Sequence, residues 1–248
     1  MNKVTLEEIA DYVESNIGGF HQKKLQNLEK LKLNKILARK NPYLFKAKNI
    51  LLAQDLVKNL LDAHLSSQEE TTFGDFLEGL AIFINSKAYG GRKSAVEGID
   101  LEFERGNTRY ILAIKSGPNW GNSSQIRKMQ DDFAKAARVL RTSGSGIRNI
   151  TAVNGCCYGR LRTEDKGTYI KICGQRFWSF ISGDDKLYQT IVVPLGHRAK
   201  EQNDQFQKQY SAVINNFTTE FSKAFCTKGN INWDELVKFN SSKYPSQK

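Results

Sequence analysis

The stretch VEGIDLEFERGNTRYILAIKSGPNWGN, residues 96–122, sets Asp100 near the start of one short apolar run and Lys115 at the end of the next. Strict alternation in GIDLEFE puts Ile99, Leu101 and Phe103 on one face of a strand and Asp100, Glu102 and Glu104 on the other. RGNT supplies a turn, and RYILAIKSG reads as the return strand of a hairpin. Neighbouring strands lie about 4.8 Å apart, so an aspartate and a lysine on the same face of such a hairpin converge. The two residue types together suit phosphodiester hydrolysis. There, carboxylates hold a divalent cation against a phosphate oxygen and the attacking water, and a nearby cation offsets the crowded negative charge. The same pair would equally make a cross-strand ion pair on a half-exposed sheet face.

The elements that must position these residues are readable on either side. Apolar residues recur at three and four spacing in LEEIADYVESNI, LQNLEKLKLNKILA and AQDLVKNLLDAHL, so residues 4 to 65 read as helical, with Pro42 breaking the run. A further helix is expected over TTFGDFLEGLAIFINSKAYGG, with Thr72 and Asp75 in a capping arrangement and Gly90-Gly91 as its stop. After the hairpin, SSQIRKMQDDFAKAARVLR is a long amphipathic helix and TSGSG a loop; IRNITAVNGCCYG and GTYIKICG are strands. QRFWSFISGDDKLYQTIVVPLG reads as two helical stretches parted at Gly183, and two helices close the chain. No internal repeat or low-complexity linker interrupts this order, which favours one α/β domain carrying a helical N-terminal extension.

Composition narrows the partner. The chain of 248 residues carries 37 Lys and Arg against 26 Asp and Glu, a formal charge of +11, and such an excess draws polyanions, nucleic acid first among them. Basic residues crowd the middle of this helical region, from Lys23 to Lys48, as a solvated surface or a phosphate-contacting one. The N-terminus has no apolar signal-like run, and no stretch approaches the ~20 apolar residues of a membrane span, so a cytosolic chain is expected. Cys156, Cys157, Cys173 and Cys226 form no C-x-x-C pair and read as reduced, mostly core thiols. His21, His64 and His197 are scattered and pair with no cysteine at zinc-ligand spacing.

GID, twelve residues, then AIK resembles the PD-(D/E)XK nuclease core, in which a helix precedes a strand bearing the aspartate and the next strand carries acid-x-lysine. The runs YGGRKSAVEGIDLEF and IKSGPNWGNSSQIRKM, with GCCYG, IKICGQRFWSFISGD and VVPLG beyond them, are similar to type II restriction endonucleases, in particular the group that cuts GGNCC-type sites. The resemblance spans roughly residues 71–196. It implies a restriction-endonuclease-like α/β fold, a central mixed sheet flanked by helices, with a nuclease domain over 69–248 and a basic helical extension over 1–68. It further implies a Mg²⁺-dependent, site-specific endonuclease of double-stranded DNA, in the prokaryotic cytosol, dimeric so that two-fold symmetry matches a palindromic site. By carry-over, Asp100 binds metal. Lys115 orients or helps deprotonate the attacking water and stabilises the transition state, and as a cation it needs no lowered pKa for the second role.

The pattern departs at one position. The residue two before the lysine is Ala113, whose methyl group binds no metal. Three accounts stand open: Glu78 on the preceding helix supplies the second carboxylate; Glu102 does, although displaced about 7 Å along the strand from Asp100; or Ala113 is a substitution that disables the enzyme. Glu78 is the first choice, as a second metal ligand and catalytic residue; its alternative role is a solvent-facing helix residue. Arg92, Lys93 and Ser94 ahead of the strand, and Asn119, Asn122, Ser123 and Gln125 past Lys115, are candidate DNA contacts, as are Arg127 and Lys128 at the start of the next helix. Local sequence fits plain surface loops equally well. Trp120 reads as a packing residue sooner than a stacking one. Arg160, Arg162, Lys166 and Arg176 lie in a polar stretch between strands and are candidates for base readout, with no means of choosing among them. A repair or junction nuclease of the same core, and a basic DNA-binding protein with a degenerate nuclease fold, are the other readings.

Overall fold

Three-and-four spacing of apolar residues does produce helices over most of the chain in the computed structural model, which describes residues 4–142 and 149–243. In chain order α1 (Leu6–Glu29), α2 (Leu33–Leu37), α3 (Pro42–Ala47) and α4 (Ala53–Tyr89) come first. The hairpin β1 (Leu101–Arg105) and β2 (Thr108–Lys115) follows, then α5 (Ser123–Thr142), β3 (Asn149–Cys156), β4 (Glu164–Asp165) and β5 (Ile170–Cys173). The remainder comprises α6 (Gln175–Ser182), α7 (Leu187–Thr190), α8 (Val192–Leu195), α9 (Ala199–Phe225), β6 (Cys226–Thr227), β7 (Asn230–Ile231) and α10 (Trp233–Ser241). The expected loop TSGSG lies, but for Thr142, outside the described residues, as do the first two residues of the strand expected to follow it.

By packing, the chain forms two units, each built from two segments. One comprises residues 1–18 and 73–197, the other residues 19–72 and 198–248. The first holds a five-stranded sheet in the order β1-β2-β3-β5-β4. β1 and β2 are antiparallel, β2, β3 and β5 run parallel, and β4 pairs antiparallel with β5, which makes the sheet mixed. This is the expected α/β class, a central mixed sheet flanked by helices, with a helical N-terminal region. The crossover from β2 to β3 runs through α5, whose Met129, Phe133, Ala136 and Leu140 bury one stripe against Ile99, Ile111 and Ala113. Elsewhere in this unit, Tyr110 stacks on Phe103 at 5.2 Å and meets Phe180 edge-on at 5.1 Å. The Arg105 guanidinium lies over the Tyr110 and Phe180 rings and donates to the Phe180 carbonyl.

The second unit is helical apart from the two-residue strands β6 and β7. Its core joins Leu33, Ile36 and Phe45 to Leu56, Leu60, Phe206, Phe221 and Leu236. Asn240 ties α10 in by donating to the carbonyls of Leu37 and Lys40, at 2.8 and 3.1 Å.

Two expectations about the helices need correction. Residues 4–65 are not broken at Pro42 alone: α1 ends at Glu29, and Lys32 is extended (φ −128°, ψ 128°). Leu31 and Leu33 would point about 200° apart on one continuous helix, and the break lets Leu33 enter the core that Leu31 packs against. Pro42 itself starts α3, with Asn41 as N-cap accepting from Tyr43 and Leu44. Thr72 is not a cap, because α4 runs unbroken for 37 residues. SSQEETT contains no Gly or Pro to stop it, and the Thr71 and Thr72 hydroxyls bond back to the carbonyls one turn earlier. The stop at Gly90 (φ +71°) is as expected.

At the centre of the sheet, Gly155 of β3 leaves the room occupied by the fully buried Phe177, since a Cβ there would lie 2.3 Å from the ring. Gly155→Ala is expected to destabilise the chain by about 1–3 kcal/mol through overpacking, read from urea denaturation. An unchanged midpoint would mean that Phe177 moves aside freely.

Candidate nuclease site

Asp100 enters the sheet just before β1: its N–H donates to the Leu112 carbonyl at 2.8 Å, and its carboxylate accepts from the Ile114 N–H at 2.6 Å. These bonds aim the carboxylate at the end of β2, where Lys115 Nζ lies 3.9 Å from Asp100 Oδ2. The convergence expected across the hairpin is present. Asp100 is about one-fifth exposed and Lys115 about one-third, so the pair is reachable yet largely removed from water.

Glu78 joins them from α4. Its carboxylate is 3.6 Å from Lys93 Nζ. Burial pushes the Glu78 carboxyl above its ordinary value, and the charge of Asp100 pushes it further, while Lys93 and Lys115 pull it down. Burial likewise raises Asp100, against the opposing Ile114 N–H, Lys115 and Lys93. Glu78 therefore feels the charge of Asp100, and both carboxylates feel Lys93 and Lys115. Glu102, the other candidate, is occupied differently. It is 5 % exposed, and its carboxylate accepts from Arg92 Nε at 2.7 Å where Arg92 and Glu102 also exchange backbone hydrogen bonds.

Ala113 is 1 % exposed and packs with Ile99, Ile111, Met129 and Phe133. Among the described residues no three His, Cys, Asp or Glu side chains gather to hold a metal. What the site offers is the pair Asp100 and Glu78. That donor set fits Mg²⁺, which takes one or two carboxylates and completes its octahedron with water and substrate phosphate oxygens. Both carboxylates resist ionisation by burial, so a divalent cation would relieve what the lysines only partly offset.

The Gly-Pro-Asn-Trp-Gly loop is fixed against this site by residues that composition concealed. The buried Asn154 of β3 accepts from Trp120 Nε1 at 3.1 Å and donates to the Ala113 carbonyl at 3.2 Å. Trp120 packs as expected and also presents its ring to Lys115, whose Nζ is 5.2 Å from the ring centroid. Lys171 donates to the Pro118 carbonyl at 2.8 Å. The sequence signal for Asn154 is an amide within the apolar run ITAVNGCC.

The remaining candidates divide by what already holds them. Asn122 and Gln125 cap α5 reciprocally: Asn122 Oδ1 accepts from the Gln125 N–H at 3.1 Å, and Gln125 Oε1 from the Asn122 N–H at 3.0 Å. Ser94 accepts from the Val96 N–H, and Lys128 pairs with Asp132 at 3.0 Å. Asn119, Ser123 and Arg127 are exposed. The thiols of Cys156, Cys157 and Cys173 are free and buried. Burial and the neighbouring Cys173 push Cys156 up to about 12, which leaves it no thiolate at neutral pH.

A family model described as Type II restriction endonuclease EcoO109I matches residues 7–203, most of the chain and the whole of the site just described. No curated protein matches.

The raised carboxyls set a pH dependence. A carboxyl whose folded pKa lies above its unfolded value binds protons more tightly in the folded chain, so stability falls as pH rises from the unfolded value through the folded one. The double variant Asp100→Asn, Glu78→Gln is expected to melt a few degrees above the parent at pH 7, the gap closing towards pH 4. Circular dichroism melts at both pH values check it, and a variant that melts lower at pH 7 would mean that the lysine contacts outweigh burial.

Proposed function

This chain belongs to the type II restriction endonuclease EcoO109I family, and on that premise we propose that it cuts duplex DNA site-specifically with Mg²⁺, through Asp100, Glu78 and Lys115. The observation that carries the reading is the meeting of the two carboxylates with Lys115 at the end of β2, in a chain of charge +11. Asp100 and Glu78 would hold the metal, which supplies a polarised phosphate and a more acidic water. Lys115, held between Asp100 and the Trp120 ring, offsets charge at the phosphate as it becomes pentavalent. Glu78 takes the part of the acid missing at position 113. This reading makes the site a variant of the PD-(D/E)XK pattern, with the second acid moved from strand to helix.

The exposed Asn119, Ser123 and Arg127 border the loop past Lys115 and would meet the DNA backbone directly. Arg92, Lys93 and Lys128 would exchange their carboxylate partners for phosphates, while Asn122 and Gln125 shape the start of α5, and Ser94 the turn before β1. In this reading residues 69–248 carry the nuclease and 1–68 a basic helical extension, two copies act on a palindromic GGNCC-type site, and the enzyme works in the prokaryotic cytosol. Among the described residues no helix is long and apolar enough to cross a membrane.

A second reading, a DNA-binding protein with a degenerate nuclease fold, is favoured by the packing of Ala113 into an apolar cluster. Digestion of a long DNA of known sequence with Mg²⁺ separates the two. The parent is expected to give discrete fragments, and Glu78→Gln to slow cutting by about 100-fold or more. Fragments from Ala113→Glu alone would identify the parent as a disabled nuclease. A shifted band without cutting by either would leave the binding-only reading.

A further inference from the structure

A groove of about 690 Å³ opens beside the carboxyl ends of β3 and β5. Leu77 of α4 and Tyr188, Ile191, Val192 and Leu195 about α7 and α8 line part of it; of the rest, one wall is the segment leaving β3, with Tyr158, Arg160, Leu161 and Arg162, and the other is the start of α6, with Gln175 and Arg176. These last six are exposed. Among the described residues no Asp or Glu lines the groove, and the ion-paired arginines are Arg92, Arg109 and Arg198, none of them here. Lys166, sharing the same polar stretch in sequence, is instead paired with Glu164 and lies outside the lining.

The two walls are held by close backbone approach. The Gly174 N–H donates to the Cys156 carbonyl at 3.0 Å, and a Cβ on Gly174 would lie 2.4 Å from the Gly159 carbonyl oxygen. The groove is also tied to the strand that bears Lys115. Cys157 N–H donates to the Lys115 carbonyl at 2.9 Å, Tyr158 N–H to the Ser116 carbonyl at 3.1 Å, and the Tyr158 ring rests on Gly117.

We propose that this groove reads base edges of duplex DNA, with Arg160, Arg162 and Arg176 as specificity-determining residues; the inference rests on the site-specific endonuclease reading. Contact with phosphate alone needs only positive charge. Guanidiniums interleaved with exposed Tyr158 (54 %) and Leu161 (40 %) suit what the major groove offers, guanine O6 and N7 for a bidentate arginine and thymine methyls for apolar carbon. A second copy of the chain is a poorer occupant, because a two-fold contact made by this patch with itself would set arginines against arginines without a carboxylate between them.

The test is selection of bound duplexes from a random pool, without Mg²⁺ so that the DNA stays intact. It compares the full chain with Arg160→Lys, Arg162→Lys and Arg176→Lys, each checked for an unchanged melt. Lysine keeps the charge and loses the fork. The parent is expected to enrich one motif. At least one variant should relax a position of that motif tenfold or more, with the salt dependence of binding unchanged. Variants that all enrich the parent's motif would overturn the inference and leave these residues as phosphate contacts. An unchanged motif with a changed sedimentation state would assign the groove to a second copy. A parent that enriches no motif would remove the site-specific reading, and this inference with it.

Discussion

The hydrogen bond from the Ile114 N–H to the Asp100 carboxylate is the contact on which the geometry of the candidate site depends. It turns a side chain that burial penalises towards the last residues of β2, so that the position of Lys115 follows from the register of the β1–β2 pair. A one-residue slip in that register would turn the lysine to the opposite face of the sheet. The apolar stripe of α5 guards against such a slip, because Ile111 and Ala113 must stay on the side that meets Met129 and Phe133. Packing on one face of the hairpin thereby sets chemistry at its end.

Around that bond the site keeps charges that the fold alone would not choose. Asp100 and Glu78 are both harder to ionise than in water, and Glu78 lies in the field of Asp100. An arrangement that raises the folding cost of two carboxylates makes sense where a cation is to be received, since its affinity comes from the charge left unsatisfied. Glu102 shows the contrasting case: it is more deeply buried, but Arg92 meets it at 2.7 Å in the same bridge that pairs their backbones.

The hairpin and α5 were legible because their signals are local. Alternation and helical spacing are read within a dozen residues, and the strands and helix appear where those periods place them. Asp100 and Lys115 came with the hairpin. What stayed hidden depends on partners distant in sequence. Asn154 gains its role from Trp120, 34 positions away, and its one local sign, an amide within an apolar run, does not say what it bonds. The α5 cap was present in sequence as Asn-Ser-Ser-Gln, but side chains that can donate to phosphate are also those that cap helices, and composition does not rank the two uses. The unbroken α4 was missed for the converse reason: a threonine and an aspartate at capping distance do not start a helix when the preceding turn has no cause to end.

The contact of Gly117 with the Tyr158 ring and that of Gly159 with Pro118 bear on how such a chain can change over generations. A methyl group at 117 requires the exposed ring at 158 to move aside or shrink, and a side chain at 159 must both crowd Pro118 and adopt a φ of +123°. Drift in the loop after β2 and drift in the segment after β3 are thus epistatic, each step neutral or harmful according to what the other holds. A lineage would change positions 158 and 159 together with the loop that borders Lys115, while the residues beyond 159 stay free of that constraint.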